Sequence, residues 1–205
     1  MGKNSSEMDE YVLVFSSSLL KQIGNFQGLS SDVNKYLDVI LDPKNHQFIK
    51  RKEVETNPEY KQLIPYVIFH HDRKVFTYRR GKLLAEKRLT GNYSIGIGGH
   101  ISVNDPNLFG TTYEQGLQRE INEEIDLQSN YTGGVGGLIN DDTNDVGKVH
   151  FGVVHIFSLD QPLIMPKEKS INETGFWSIE ALKQNIEKFE NWSKICINGL
   201  ESLLK

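Results

Sequence analysis

From residue 11 onward, apolar runs alternate with polar, glycine-punctuated breaks, and the run lengths predict the elements. Tyr11 to Phe15 is a continuous β-branched and aromatic run and predicts a buried strand. Beyond Gly24 and Gly28 the period changes: Val33, Tyr36, Leu37, Ile40 and Leu41 fall at i, i+3, i+4, i+7 and i+8. That is one helical face, capped by Ser30 or Ser31, opened by Asp32 and stopped by Pro43. His46 to Arg51 predicts an edge strand, and Asn57-Pro58 a break. Leu63 to His70 and Lys74 to Arg79 predict a hairpin joined by His71-Asp72-Arg73, with Pro65 at the start or edge of its first strand. Ser94 to Val103 is extended and glycine-rich; a loop over 104–110 leads to a helix from about Thr112 to Ile125. Gly133 to Asn140 and Lys148 to Leu159 predict two further strands, linked by a polar acidic loop read as a solvated tip. A short strand at Gly175-Phe176-Trp177 and helical stretches at 178–189 and 192–204 complete the chain. In this strand context Tyr66, Phe76, Phe151 and Trp177 read as core residues rather than base-stacking platforms.

Strands on both sides of one central helix predict an α/β architecture with helices packed on a mixed sheet. The 205 residues suit one domain with an appendage. A formal net charge of −4 argues against a nucleic-acid polymer as partner, which calls for clustered positive charge. The single cysteine, Cys196, excludes an internal disulfide or a cysteine-rich zinc site. No run reaches the roughly 20 apolar residues of a membrane span, and the first ten residues lack a signal-peptide core. The expectation is a cytoplasmic protein with no membrane partner.

The chemistry concentrates in Arg119-Glu120-Ile121-Asn122-Glu123-Glu124-Ile125-Asp126-Leu127. On a helical wheel with Glu120 at zero, Glu124 falls at about +40° and Glu123 at about −60°, so three carboxylates share an arc of roughly 100°. Leu117, Ile121 and Ile125 lie on the adjoining arc, at roughly +60°, +100° and +140°. One side of the helix therefore docks while its flank presents acids. Each like-charge pair at such spacing costs about 0.2–0.5 kcal/mol, and a hard divalent cation reverses that sign. Oxygen ligands point to Mg²⁺, with Mn²⁺ as the substitute. Arg119 is placed to orient one carboxylate. A solvated glutamate-rich face is the bland alternative. Four fixed residues in the pattern Arg-Glu-x-x-Glu-Glu arise by chance in such a chain with a probability on the order of 10⁻³, which favours function. Upstream, the basic residues Arg79, Arg80, Lys82, Lys87 and Arg88 form a solvated face or could steer a phosphate group, with Arg80 and Arg88 singled out. Gly96, Gly98 and Gly99 permit close approach of backbone to phosphate or form a bulged strand. His100 is either a phosphate or metal-water contact or a structural histidine. His150 and His155, five apart, form no ligand pair on one strand face and are discounted.

Gly99 followed by the Arg119 to Leu127 segment resembles the Nudix box: Gly, five residues, Glu, seven residues, then Arg-Glu-aliphatic-x-Glu-Glu-x-Gly-aliphatic. Gly110-Thr111-Thr112-Tyr113-Glu114-Gln115 is similar to the usual helix entry, and Glu173 to Leu182 is similar to a tryptophan-containing strand and helix near many Nudix C-termini. The likeness covers roughly residues 61–190 and includes the MutT-like predicted phosphoesterases. It implies a Nudix-like mixed β-sheet sandwiched between helices over 61–205, with residues 1–60 as an N-terminal α/β extension. Three roles are open to that extension: completing a substrate pocket, a homodimer interface, or the sheet. Three positions depart from the pattern. Thr111 replaces the first box glutamate, eleven residues instead of five separate it from Gly99, and Asp126 replaces the final glycine. Thr111-x-x-Glu114 is a capping box that can start the helix. A doubled loop costs only about 0.6 kcal/mol. Asp tolerates the left-handed helix end expected at 126.

What the resemblance implies is water attack on phosphorus in a small-molecule diphosphate substrate, with Glu120, Glu123 and Glu124 and the Gly99 carbonyl holding Mg²⁺. Glu123, Glu120 and Arg119 are the expected catalytic residues, with Glu123 as base and Glu173 or an acid of 141–145 as its substitutes. Arg80, Arg88, Gly98, Gly99 and His100 are the expected substrate contacts. Two rivals remain: a non-catalytic Nudix-like binding or regulatory module, and an isopentenyl-diphosphate-type isomerase. The latter needs a cysteine near the glycine-rich segment, whereas Cys196 lies in the C-terminal helix.

Overall fold

The computed structural model describes residues 8–81, 91–103 and 111–204. Its strands are β1 (Tyr11–Ser16), β2 (Gly28–Ser30), β3 (His46–Lys50), β4 (Tyr60–His71), β5 (Lys74–Arg80), β6 (Tyr93–Ser94), β7 (Ile125–Leu127), β8 (Tyr131–Asn140), β9 (His150–Leu159), β10 (Ile164–Pro166) and β11 (Ile171–Ser178). Its helices are α1 (Ser18–Ile23), α2 (Val33–Ile40), α3 (Arg51–Val54), α4 (Thr112–Glu124), α5 (Asp145–Val149), α6 (Ile179–Gln184) and α7 (Asn191–Leu203). Among the described residues the main sheet runs β11-β5-β4-β9-β8-β2, with β1 paired to β3 and β4 and β6 paired to β5. β7 and β10 form a separate antiparallel pair. This is the α/β arrangement the alternation predicts. No helix among the described residues is long and apolar enough to cross a membrane.

β1 shows why an unbroken apolar run makes a strand here. It pairs on both sides, and Val12, Leu13, Val14 and Phe15 are all buried, so both faces need apolar side chains. β3 pairs with β1 alone and keeps its residues half-buried or exposed, as expected of an edge. The hairpin turn is tighter than the sequence suggests. His71 pairs with Lys74, leaving Asp72 and Arg73 as a two-residue turn with φ of 46° and 59°, the signs of a type I′ turn. β4 runs through Pro65. On the side facing β1, its pairing ends at Gln62, and Val67 then bridges to Ile97, so Pro65 falls between these two contacts.

Other elements differ from expectation. Gly28–Ser30 is a strand, and Asp32 rather than a serine occupies the N-cap position of α2, without a side-chain cap bond. The six-residue α1 carries too little periodicity to be read in advance; it buries Leu19 and Leu20 and ends at Gly24, whose φ is 105°. The acidic loop is a solvated tip at exposed Asp142, Thr143 and Asp145 but not at its start. Asp141 is buried and accepts bonds from the Thr143 backbone and the Asn144 side chain. Buried Lys61 donates to Asp142 at 2.6 Å and to the Gly147 carbonyl at 2.8 Å.

Contacts divide the chain into two compact units that do not follow chain order. The first comprises 1–65, 99–119 and 137–153; the second comprises 66–98, 120–136 and 154–205. The first is centred on Leu13, Phe15, Tyr36, Ile40, Leu63, Ile101, Leu138 and Phe151. Its aromatic rings meet edge to face, Phe15 and Phe151 at 5.3 Å and Phe26 and Tyr36 at 5.0 Å. The second buries Phe69, Phe76 and Tyr78 completely and packs Phe157 4.5 Å from Tyr131. The α2 face behaves as its period predicts, with Tyr36 and Ile40 buried and Val33, Leu37 and Leu41 packed against the core.

Within the second unit Gly96 meets a side chain rather than a ligand. A Cβ there would lie 2.0 to 2.3 Å from carbons of the Tyr66 ring. That ring cannot retreat easily, because its hydroxyl donates to Glu190 and bonds Ser193, both at 2.8 Å, and Trp192 packs on its edge. Gly96→Ala is therefore expected to lower the unfolding free energy by about 1–3 kcal/mol, as over-packing does. Urea denaturation reads this directly. An unchanged midpoint would mean that the ring yields.

Candidate active site

α4 begins as the capping-box pattern predicts. The Thr111 N–H donates to Glu114 Oε2 at 2.8 Å, and the Glu114 N–H donates to Thr111 Oγ1 at 3.3 Å. Leu117, Ile121 and Ile125 are all buried, so the apolar stripe docks. The end of the helix differs from expectation. Asp126 is not left-handed; it lies in β7 opposite Met165, because the chain passes directly from helix to strand at Ile125. The Lys167 backbone N–H donates to the Glu124 carbonyl at 2.9 Å and Lys167 Nζ donates to the Asn122 carbonyl at 2.8 Å, satisfying the helix end without a glycine.

The three glutamates lie together in the second unit, Glu123 exposed and Glu120 and Glu124 half-buried. Burial pushes the Glu124 carboxyl up to about 8. Glu120 adds to the rise, Arg80 opposes it, and Glu168 and Glu123 add further. Glu168 is a fourth carboxylate that no helical wheel could reveal, since it arrives from the segment after β10 that also bonds the helix end. Its Oε2 accepts from the Ser170 hydroxyl at 2.8 Å. Arg80, at the end of β5, is half-buried with its guanidinium 5.7 Å from the Tyr78 ring centre, and its Nε has no hydrogen-bond partner among the described residues. Burial works against its charge, yet Tyr78, Glu190, Tyr66 and Glu124 outweigh that and hold the guanidinium above its usual range. Burial and the neighbouring negative charge drive the Glu124 carboxyl to hold its proton, and a hard divalent cation bound there would offset that charge.

The other expected site residues are distributed as follows. Gly98 belongs to the second unit; Gly99, His100 and Arg119 belong to the first, where Arg119 Nη2 donates to the His100 carbonyl at 2.8 Å. Arg88, Lys82 and Lys87 lie outside the described residues. Exposed Glu173 sits at a register shift of β11 with φ of 47° and accepts from Arg79 at 2.9 Å and from the Tyr93 hydroxyl at 2.7 Å. The Tyr93 bond, then the Arg79 bond, lowers its pKa. In the 141–145 loop, Asp142 bonds Lys61 and Asp145 pairs with Lys148 at 3.2 Å. Trp177 packs beside Tyr93 and Phe189 rather than standing free as a stacking platform. His150, discounted from its strand position, faces His100 across elements with Nε2 atoms 3.3 Å apart. The test of one strand face missed it because its neighbour comes from a different segment.

No protein-family model matches the chain. Protein YmaB of Bacillus subtilis (strain 168) is 30% identical over 210 residues, spanning 98% of this chain and all of that protein. The crystal structure of Tm1382, a candidate Nudix hydrolase, is 30% identical, covers 95% of this chain and all of its own, and superposes with a TM-score of 0.79. A bifunctional NMN adenylyltransferase/ADP ribose pyrophosphatase from Francisella tularensis, complexed with AMP and a manganese ion, shares the fold at 14% identity. It matches with a TM-score of 0.50 over 70% of this chain and 42% of its own.

Proposed function

From the premise that the chain belongs to the Nudix hydrolase family, we propose that it hydrolyses the diphosphate linkage of a nucleoside-diphosphate-linked small molecule. Water attacks phosphorus, the P–O–P bridge breaks, and two phosphate monoesters leave. The observation that carries this reading is Glu124, half-buried within electrostatic reach of Glu120, Arg80, Glu168 and Glu123, with its carboxyl driven up to about 8.

Glu120 and Glu124 hold a divalent cation, Mg²⁺ or Mn²⁺, because they are the half-buried carboxylates of α4. The bound cation supplies charge neutralisation on the diphosphate oxygens and lowers the pKa of the attacking water. Glu123, exposed one turn from Glu120, takes the proton from that water. Arg80, whose Nε–H has no partner among the described residues, turns this group to a phosphate oxygen and gains a charge-assisted hydrogen bond. Arg119, tied to the His100 carbonyl, positions the start of the acidic turn.

The test is a panel of ADP-ribose, dinucleoside polyphosphates, nucleotide sugars and nucleoside triphosphates, with products resolved by anion-exchange chromatography with and without Mg²⁺. Mg²⁺-dependent release of monophosphate products from a diphosphate-linked member is the expected result. Tight binding of a panel member with no turnover would replace hydrolysis by the ligand-binding module.

A further inference from the structure

Two imidazoles and a carboxylate in the first unit play no part in the proposed hydrolysis. His150 opens β9 and is buried, His100 follows the glycine-rich segment, and Glu55 follows α3. One ligand atom from each lies within 4.8 Å of the other two. The three come from segments 45 and 50 residues apart in sequence, so local chain geometry does not force the meeting.

The orientation of the rings is the informative detail. His150 Nδ1 sits 2.7 Å from the Val146 carbonyl, an acceptor only, so Nδ1 carries the proton and Nε2 offers a lone pair. With no ion present the His100 Nε2–H donates to that lone pair at 3.3 Å, and an ion would take the place of this proton. Two nitrogens bound to one ion at about 2.0–2.1 Å with tetrahedral angles stand about 3.3–3.4 Å apart. The observed separation is the edge of such a tetrahedron. Each donor is also held from behind, as metal ligands are. Val146 orients His150, Arg51 Nε donates to Glu55 Oε2 at 3.1 Å, and Arg119 fixes the His100 backbone.

We propose that Glu55, His100 and His150 form a mononuclear site for a Zn²⁺-class transition-metal ion, with three protein ligands and a fourth position open to solvent or ligand. Nitrogen donors distinguish it from the all-oxygen carboxylate set of α4. Imidazole suits zinc and its neighbours, while Mg²⁺ prefers carboxylate, carbonyl and water oxygens. Glu55 supplies the third donor, a carboxylate with an oxygen within 4.8 Å of both ring nitrogens. Arg51 balances the single carboxylate charge, so the site gains one net divalent charge on filling and favours neutral nitrogen donors to bind it. The inference does not depend on what α4 does.

The test uses the full chain, stripped with a chelator and exchanged into buffer. Titrated with Co²⁺ in the presence of excess Mg²⁺, it is expected to develop the visible d–d bands of a four-coordinate ion at one equivalent. Zn²⁺ is expected to abolish them by competition. His150→Gln and His100→Gln are expected to weaken Co²⁺ binding by about 100-fold or more, and Glu120→Gln to leave the bands in place. Circular dichroism establishes that each variant is folded. Absence of the bands from the parent chain overturns the site whatever the variants do. Bands that survive in both folded histidine variants, or that vanish in Glu120→Gln, place the ion elsewhere and overturn it equally.

Discussion

Glu123→Gln is expected to lower kcat on the best diphosphate substrate by about 10³-fold, within the range that loss of a general base produces. The side chain is exposed and lies off the stripe of Leu117, Ile121 and Ile125 that buries the helix, so the fold and its urea midpoint should not change. Glutamine keeps the size and the oxygen of the side chain and removes only its capacity to take a proton. KM is therefore expected to move far less than kcat. Glu120→Gln and Glu124→Gln should behave differently: as proposed cation ligands they raise the Mg²⁺ concentration needed for half-maximal rate. Full activity of Glu123→Gln beside the parent would remove it from the mechanism and direct attention to Glu168, the carboxylate from outside α4 that acts on Glu124.

The second large effect is a link between Mg²⁺ and pH. In the metal-free protein the Glu124 carboxyl is pushed up to about 8 from an ordinary 4.5. A raised folded-state value favours the fold below the unfolded pKa, and that contribution is lost as pH rises through about 8. Above this range the apo protein carries a half-buried charge that Arg80 offsets in part and a bound cation would offset further. Binding a cation requires the carboxylate form, so the proton competes with the metal below the pKa. Mg²⁺ affinity by titration calorimetry is accordingly expected to rise about 100-fold between pH 6 and pH 9 and to level off above it. The upward shift in unfolding temperature on adding saturating Mg²⁺ should be larger at pH 9 than at pH 6. Glu124→Gln should flatten both trends. An affinity independent of pH in the parent chain would show that Glu124 does not ligate the ion.

Much of the architecture is legible in the order of residues because single elements carry their own periodicities. The unbroken run at 11–15 reports a strand covered on both faces. The i, i+3, i+4 pattern of α2 reports a buried stripe, and Thr111 with Glu114 reports a helix start, all through interactions spanning a few residues. The same locality made Glu120, Glu123 and Glu124 readable as one acidic flank, since a helix fixes the angle between them. Where the local signal was short or ambiguous, the reading failed. α1 has six residues, and Asp126 looked like a left-handed cap only because no partner strand was in view.

What only the tertiary structure decided are meetings between distant segments, which no period encodes. Glu168 reaches Glu124 because the chain after β10 closes the end of α4. Gly96 is required by the ring of Tyr66 rather than by a phosphate. His150 faces His100, with Glu55 nearby, because three segments far apart in sequence pack in one unit. Local order determined which side chains share an element, through backbone geometry alone. Packing determined which elements share a site, because burial and charge act between whatever the folded chain brings within a few ångströms.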